Sequence, residues 1–374
     1  MGILEGLDGN PARFFRQCFP ADRSQVSFYM DPPKGTEPAI LTHARERLTS
    51  PSTPSVLRSH LTDLDSLRYA KPAVASQKVS DAMEHIDPTD VPLALGVWAS
   101  SQRLLLELDQ AAHAIALGLE IAGARDDHGA VGDLLLRLGY IVADHGEYEE
   151  SLWLAREATD FFVVSCDELE TGRSLVDRGS WLYYLDRHHD GIRELEAALQ
   201  LLPLDAHRNR ASCRHALSYC HLALGEFDQA ASHAEFAALD TAYLEPLFLG
   251  KLTWLHAVIA FKQAEYDRSE SLLREVVTTF TDIHRGEAAL ATIDLAEVQL
   301  AANKPADAYA SAQAILPLIT PLGARNKVVR SAEVILTDLA RRGASGMHMQ
   351  VVEKLRDLVK RAKRERQWRS LSSD

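Results

Sequence analysis

Fifteen histidines and four cysteines are the side chains with which this chain could hold a metal, and their spacing argues against it. Cys18, Cys166, Cys213 and Cys220 are scattered. Cys213 and Cys220, seven apart, would share a helix face, but no CxxC or paired Cys/His spacing occurs. His188 and His189 would point to different faces of a helix. His215 and His221, six apart, miss the i, i+4 geometry that puts two imidazoles on one ion. No metal site is expected, and the thiols read as buried, reduced side chains of a cytosolic protein. Nucleotide and nucleophile signatures are missing as well: there is no Walker A sequence, strand-linked GxGxxG, HExxH or GxSxG. The chain therefore reads as a non-enzyme with no catalytic residue and no cofactor, although fold by itself never excludes an activity.

What remains is chemistry of contact rather than of bond making. Arg137, Tyr140, Asp144, Arg173, Asp177, Tyr183, Tyr184, His215, Tyr219, Trp254, Val258 and Phe261 recur on one face of successive helical segments. Tyr and Trp give large contact area with little entropy lost, and Arg can fork onto a carboxylate. Within this set Arg137, Tyr140, Tyr183, His215, Tyr219, Trp254 and Phe261 are the candidate ligand-binding residues of a concave groove. The competing reading is that the rings pack between neighbouring helices, and the sequence leaves both open.

Positioning such a strip requires a repeated element, and one is present. Ala99, Gly139, Gly179, Ser218, Ala257 and Ala296 follow one another at steps of 39 or 40 residues. Twelve positions after each stands another small residue: Ala111, Ser151, Gly191, Ala230, Ser269 and Ala308. Nine after the anchor the column is Leu108, Tyr148, His188, Phe227, Tyr266 and Pro305. Seven after it are Gly146, Gly225 and Asn303, with Leu106, Asp186 and Ala264 in the other units. This is the logic of a helical hairpin. Small residues let two backbones approach, the large residue starts the second helix, and Gly or Asn takes the left-handed conformation that ends the first. One hairpin cannot bury its apolar face alone, but a stack can.

Leu138-Gly-Tyr-Ile-Val-Ala-Asp-His-Gly-Glu-Tyr-Glu-Glu-Ser and Leu217-Ser-Tyr-Cys-His-Leu-Ala-Leu-Gly-Glu-Phe-Asp-Gln-Ala each resemble a tetratricopeptide (TPR) unit, with Pro203 at the family's closing-proline position. The resemblance covers roughly residues 92–320. It departs from the family in period, because the standard unit is 34 residues, and it is closer to the long units of bacterial regulatory TPR proteins. It implies an all-α fold of tandem antiparallel helix hairpins stacked as a right-handed solenoid, whose first helices line a concave surface. It also implies a scaffold for a protein or peptide. The alternative is a peptide-sensing regulator acting on a transcription or signalling partner. The family's Lys/Asn carboxylate clamp is not recognisable here.

Around this array, at 92–322, the sequence predicts an irregular or mobile segment at 1–37 and a short helical region at 38–91. Capping helices with a basic tail are predicted at 323–374. Short helices are expected near residues 38–48 and 54–69, a longer one at 73–86, and two more at 327–342 and 349–368. Net charge is −13. From Arg341 to Asp374 ten Lys/Arg face four Asp/Glu, a net +6, leaving −19 on the rest. Nucleic acid and anionic lipid should be repelled, with the basic tail the one candidate for a polyanion contact. The absence of a signal peptide, a myristoylation signal or an 18-residue apolar run points to a cytoplasmic protein without membrane insertion. Oligomeric state is not set by any of these features.

Overall fold

The computed structural model describes residues 38–50, 54–105, 107–144, 146–239, 244–283, 285–320 and 327–368. The segment 1–37, Cys18 and Leu106 lie outside them. Among the described residues three helices come first: α1 (Ala39–Thr49), α2 (Arg58–Leu67) and α3 (Pro72–Ala82). Six hairpins follow. They pair α4 (Val91–Leu104) with α5 (Leu108–Gly123), α6 (His128–Asp144) with α7 (Tyr148–Val164), and α8 (Glu168–Tyr184) with α9 (His188–Leu201). The next three pair α10 (His207–Ala223) with α11 (Phe227–Ala238), α12 (Pro246–Lys262) with α13 (Tyr266–Ile283), and α14 (Arg285–Ala301) with α15 (Pro305–Gln313). A short α16 (Ile315–Ile319) leads to α17 (Lys327–Arg342) and α18 (Met349–Trp368), and the described residues contain no strand. Two compact units divide the chain, one through Ala206 and one from His207.

The four columns read from the sequence are the joints of these hairpins. Position seven is left-handed at Gly146, Asp186, Gly225, Ala264 and Asn303, with φ of 87°, 57°, 78°, 62° and 57°. The next residue's N–H then reaches back to a carbonyl five residues earlier. Glu107 bonds Gln102, Glu147 bonds Val142, Arg187 bonds Leu182, Glu226 bonds His221, Glu265 bonds Ala260 and Lys304 bonds Gln299, at 2.7–3.3 Å. That is the bond by which a Schellman cap satisfies the orphan carbonyls of a helix end. The position-nine residue opens the second helix in all six hairpins.

The small columns set the inter-helix spacing. A Cβ on Gly179 would stand 2.4 Å from Leu195 Cγ and 3.1 Å from the Gly191 carbonyl oxygen. In the fourth and fifth hairpins a serine hydroxyl crosses the same gap: Ser218 donates to the Ala230 carbonyl at 2.7 Å and Ser269 to that of Ala257 at 2.8 Å.

In the first unit one continuous core runs from Ile40, Leu61 and Leu64 of the leading helices through Leu95, Leu119, Leu135, Leu152 and Phe162. The leading helices are thus part of the same folded body. In the second unit Leu336, Leu339, Val352, Leu355 and Val359 of α17 and α18 share one cluster with Ile293 and Ala296 of the last hairpin. Cys213 and Cys220 are buried, but Cys166 is exposed. It occupies the left-handed turn between α7 and α8 (φ 57°), so the expectation of uniformly buried thiols fails there.

Candidate binding surface

In the first unit α4, α6 and α8 carry a chain of alternating charges between them. Arg103 of α4 grips Asp144 of α6 with two bonds, 2.7 and 3.1 Å, and lays its guanidinium 5.0 Å from the Tyr140 ring centre. Tyr140 donates its hydroxyl to Asp177 of α8 and meets Trp181 edge-on at 5.7 Å. One turn before Asp177, Arg173 pairs with Glu170 at 2.9 Å and with Asp133 of α6 at 3.7 Å, both through Nη1. The step from Asp133 to Arg173 and from Arg137 to Asp177 is 40 residues. The repeat therefore stacks opposite charges on neighbouring helices.

Arg137 is the anchor of this chain of contacts. Only 5% exposed, it donates to Asp133 at 2.6 Å, to Asp65 of α2 at 2.9 Å, to Ser100 at 2.7 Å and to the Gly96 carbonyl at 3.3 Å. Its partners are intramolecular, and one comes from the leading helices. Burial acts to raise the carboxyl of Asp133, yet Arg137 and Arg173 override it and hold Asp133 below the usual range.

Asp177 differs. At 6% exposure, burial pushes its carboxyl up to about 6, against the pull of Arg173. Its Oδ1 accepts from Tyr140, while among the described residues its buried Oδ2 has no donor. A buried acceptor left unpaired costs about 1–3 kcal/mol, so any group able to donate there is strongly favoured. Burial, with the Asp177 charge second, likewise lifts the Tyr140 phenol well above its ordinary value and keeps it a donor. Tyr183 is half-buried against His188 at 5.5 Å and Tyr184 at 5.3 Å, and exposed Tyr184 stacks on Tyr148 at 4.8 Å.

In the second unit the candidate rings are held by their neighbours. His215 meets Tyr219 edge-on at 5.0 Å and Phe248 at 5.4 Å. Burial, aided by the Lys251 ammonium, pushes its imidazole down to about 3, so it is neutral at physiological pH. Tyr219 packs on Leu255 and Ile259. Trp254 Nε1 donates to Asp294 of α14 at 2.8 Å, and Asp294 also accepts from Arg356 of α18 at 3.0 Å. Arg356 reaches Glu297 as well. Phe261 lies 6.0 Å from Tyr266, with the Lys262 ammonium 5.7 Å from its ring.

Asp65, Asp133, Arg103 and Asp294 complete these networks and were not among the residues singled out from sequence, and Arg356 was read there only as part of the basic tail. The signal that finds them is charge complementarity at one repeat period, as between Asp133 and Arg173. Asp65 and Arg356 lie outside the array and carry no such signal. Among the described residues no three His, Cys, Asp or Glu side chains are grouped to hold a metal, and no helix is long and apolar enough to cross a membrane.

No family model and no curated protein matches the chain. Among solved structures it is similar to a Rap protein complexed with competence and sporulation factor, at 12% identity and a TM-score of 0.57, over 86% of this chain and 88% of that one. The apo form of RapI aligns at 12% identity and a TM-score of 0.48, over 95% and 91%. PilF of Pseudomonas aeruginosa aligns at 18% and 0.42, over 61% and 93%. Together with the hairpin geometry, the first likeness shows that this chain has a TPR-like helical-repeat fold.

Proposed function

We propose that the chain is a protein- or peptide-binding scaffold, with the inner face of α6 and α8 as its recognition surface. The observation that carries this reading is Asp177, a buried carboxylate with one oxygen bonded by Tyr140 and the other without a donor. One turn before it on α8 is the Arg173 guanidinium, and about two turns after it stand the Tyr183–Tyr184 rings. A peptide supplies what this set lacks, a donor for Asp177 and apolar side chains for the exposed Tyr184 ring, and competes with Glu170 and Asp133 for Arg173. Orientation then comes from the charged pair and affinity from ring burial. Arg137 takes part by fixing Asp133, which in turn holds Arg173.

The test is peptide-display selection on the folded chain, followed by calorimetry of the enriched peptides against Asp177→Ala and Arg173→Ala. Each truncation is expected to weaken binding by about tenfold or more. Unchanged affinity in both variants, with their helical content intact, sinks the reading. The regulator alternative adds a second partner whose affinity changes when the first site fills. The Rap structure with competence and sporulation factor is a likeness of fold alone and does not choose between the two.

A further inference from the structure

The end of α7, the start of α8 and the end of α9 meet at one end of the first unit. Thr159 and Ser174 hydroxyls lie 2.9 Å apart, and a Cβ on Gly172 would stand 2.9 Å from Leu202 Cδ2. The turns after α7 and α9 therefore flank the first turn of α8. Five large apolar side chains are exposed there: Val163, Val164 (63%), Leu169, Leu201 and Leu204 (82%). An apolar cluster of this kind on a folded surface marks an interaction site.

Its unpaired charge is acidic. Residues 157–172 hold Glu157, Asp160, Asp167, Glu168 and Glu170 with no Lys or Arg, and residues 194–206 hold Glu194, Glu196 and Asp205 with none either. Arg173 neutralises Glu170 at 2.9 Å and Arg178 neutralises Glu194 at 2.6 Å, so the other six carry the charge. Asp160, Asp167, Glu168, Glu196 and Asp205 are exposed. Asp167 accepts the Glu170 N–H at 3.0 Å. The α8 terminus is thus already capped by a carboxylate, which argues against an anion as the occupant. Apolar side chains set among acids complement a segment that is apolar on one face and cationic on the other.

We propose that this end of the first unit docks a cationic amphipathic helix of a partner protein. Its apolar face rests on Val163, Val164, Leu201 and Leu204, and its Lys/Arg face Asp160, Glu168 and Asp205. The surface is separate from the inner face that carries Asp177.

The probe is a labelled 14-residue peptide with leucines at i, i+3, i+4 and i+7 and lysines elsewhere, titrated with the full chain by fluorescence anisotropy. Val164→Lys/Leu204→Lys and Asp160→Lys/Asp205→Lys are each expected to weaken binding about tenfold, and the second pair should also flatten its salt dependence. Tyr140→Phe, on α6 and away from this end, should leave it unchanged. A scrambled peptide of the same composition should bind about tenfold more weakly. If the apolar pair lowers the melting temperature, Leu204→Ser, in a turn, replaces it, with a loss of about threefold or more expected. Wild-type affinity in the two charge-altering double variants, equal binding of the scrambled peptide, or loss of binding in Tyr140→Phe overturns the proposal.

Discussion

Replacing Gly179 by alanine puts one methyl into the narrowest part of the third hairpin. The new Cβ would lie 2.4 Å from Leu195 Cγ, 2.8 Å from its Cδ2 and 3.1 Å from the Gly191 carbonyl oxygen. Leu195 is fully buried, so it cannot rotate away into solvent, and the carbonyl belongs to the backbone of α9. The helices must separate or Leu195 must leave its rotamer, at about 1–3 kcal/mol. Alanine's better helix propensity returns at most about 1 kcal/mol. The net expectation is a loss of roughly 1–2 kcal/mol. Gly129→Ala is the matched control: its Cβ would meet nothing nearer than Asp127 Oδ1 at 3.7 Å, so only the propensity gain acts and stability should hold or rise. Urea unfolding followed by helical circular dichroism compares the two midpoints. A Gly179→Ala midpoint equal to or above that of Gly129→Ala would refute the close-approach role of the small columns.

Ala264 holds φ 62° in a turn where two other units use glycine, so Ala264→Gly should stabilise by about 1 kcal/mol, read as a raised urea midpoint. Trp254→Phe removes the donor to Asp294 and should cost about 1–3 kcal/mol of the second unit's stability by the same assay. The carboxyl of Asp177 is raised to about 6 in the folded chain. The folded state therefore binds more protons than the unfolded one between its ordinary value and that figure, and stability should fall as pH rises through that window. Asp177→Asn should remove this slope, so that its stability relative to wild type improves from pH 4 to pH 7 by on the order of 1–3 kcal/mol. Unchanged pH dependence speaks against a buried carboxylate there. Burial pushes the thiols of Cys213 and Cys220 up to about 12. In a Cys18→Ser background only Cys166 should react with a thiol reagent before unfolding, as counted by mass spectrometry.

The hairpins were legible because each joint depends on local stereochemistry that residue type reports. Small side chains permit close approach, and a large residue opens the second helix. Asp186 and Ala264 show the limit: they adopt the left-handed turn without being glycine or asparagine, because the recurring cap bond fixes the conformation once the hairpin closes. The candidate surface was only partly legible. Periodicity placed Tyr140, Arg173 and Asp177 together, since one repeat step keeps a residue on its face. It could not show that Arg137 is shared with Asp65 of α2, or that Trp254 is tied through Asp294 to Arg356 of α18. Those partners lie outside the array, and no spacing rule connects a repeat to the helices that cover it. The same limit hid Cys166, whose exposure follows from a turn geometry and not from its type.

The binding surface is tested most directly by photo-crosslinking. A benzophenone amino acid replaces Tyr184, which is exposed and two turns from Asp177 on α8, or Leu204, at the apolar end of the same unit. Each variant is irradiated with the same peptide enriched by display selection. Crosslinking at position 184, abolished by Arg173→Ala, is the predicted result. Crosslinking at position 204 alone, or at 184 with equal yield in Arg173→Ala, contradicts the assignment of recognition to the inner face.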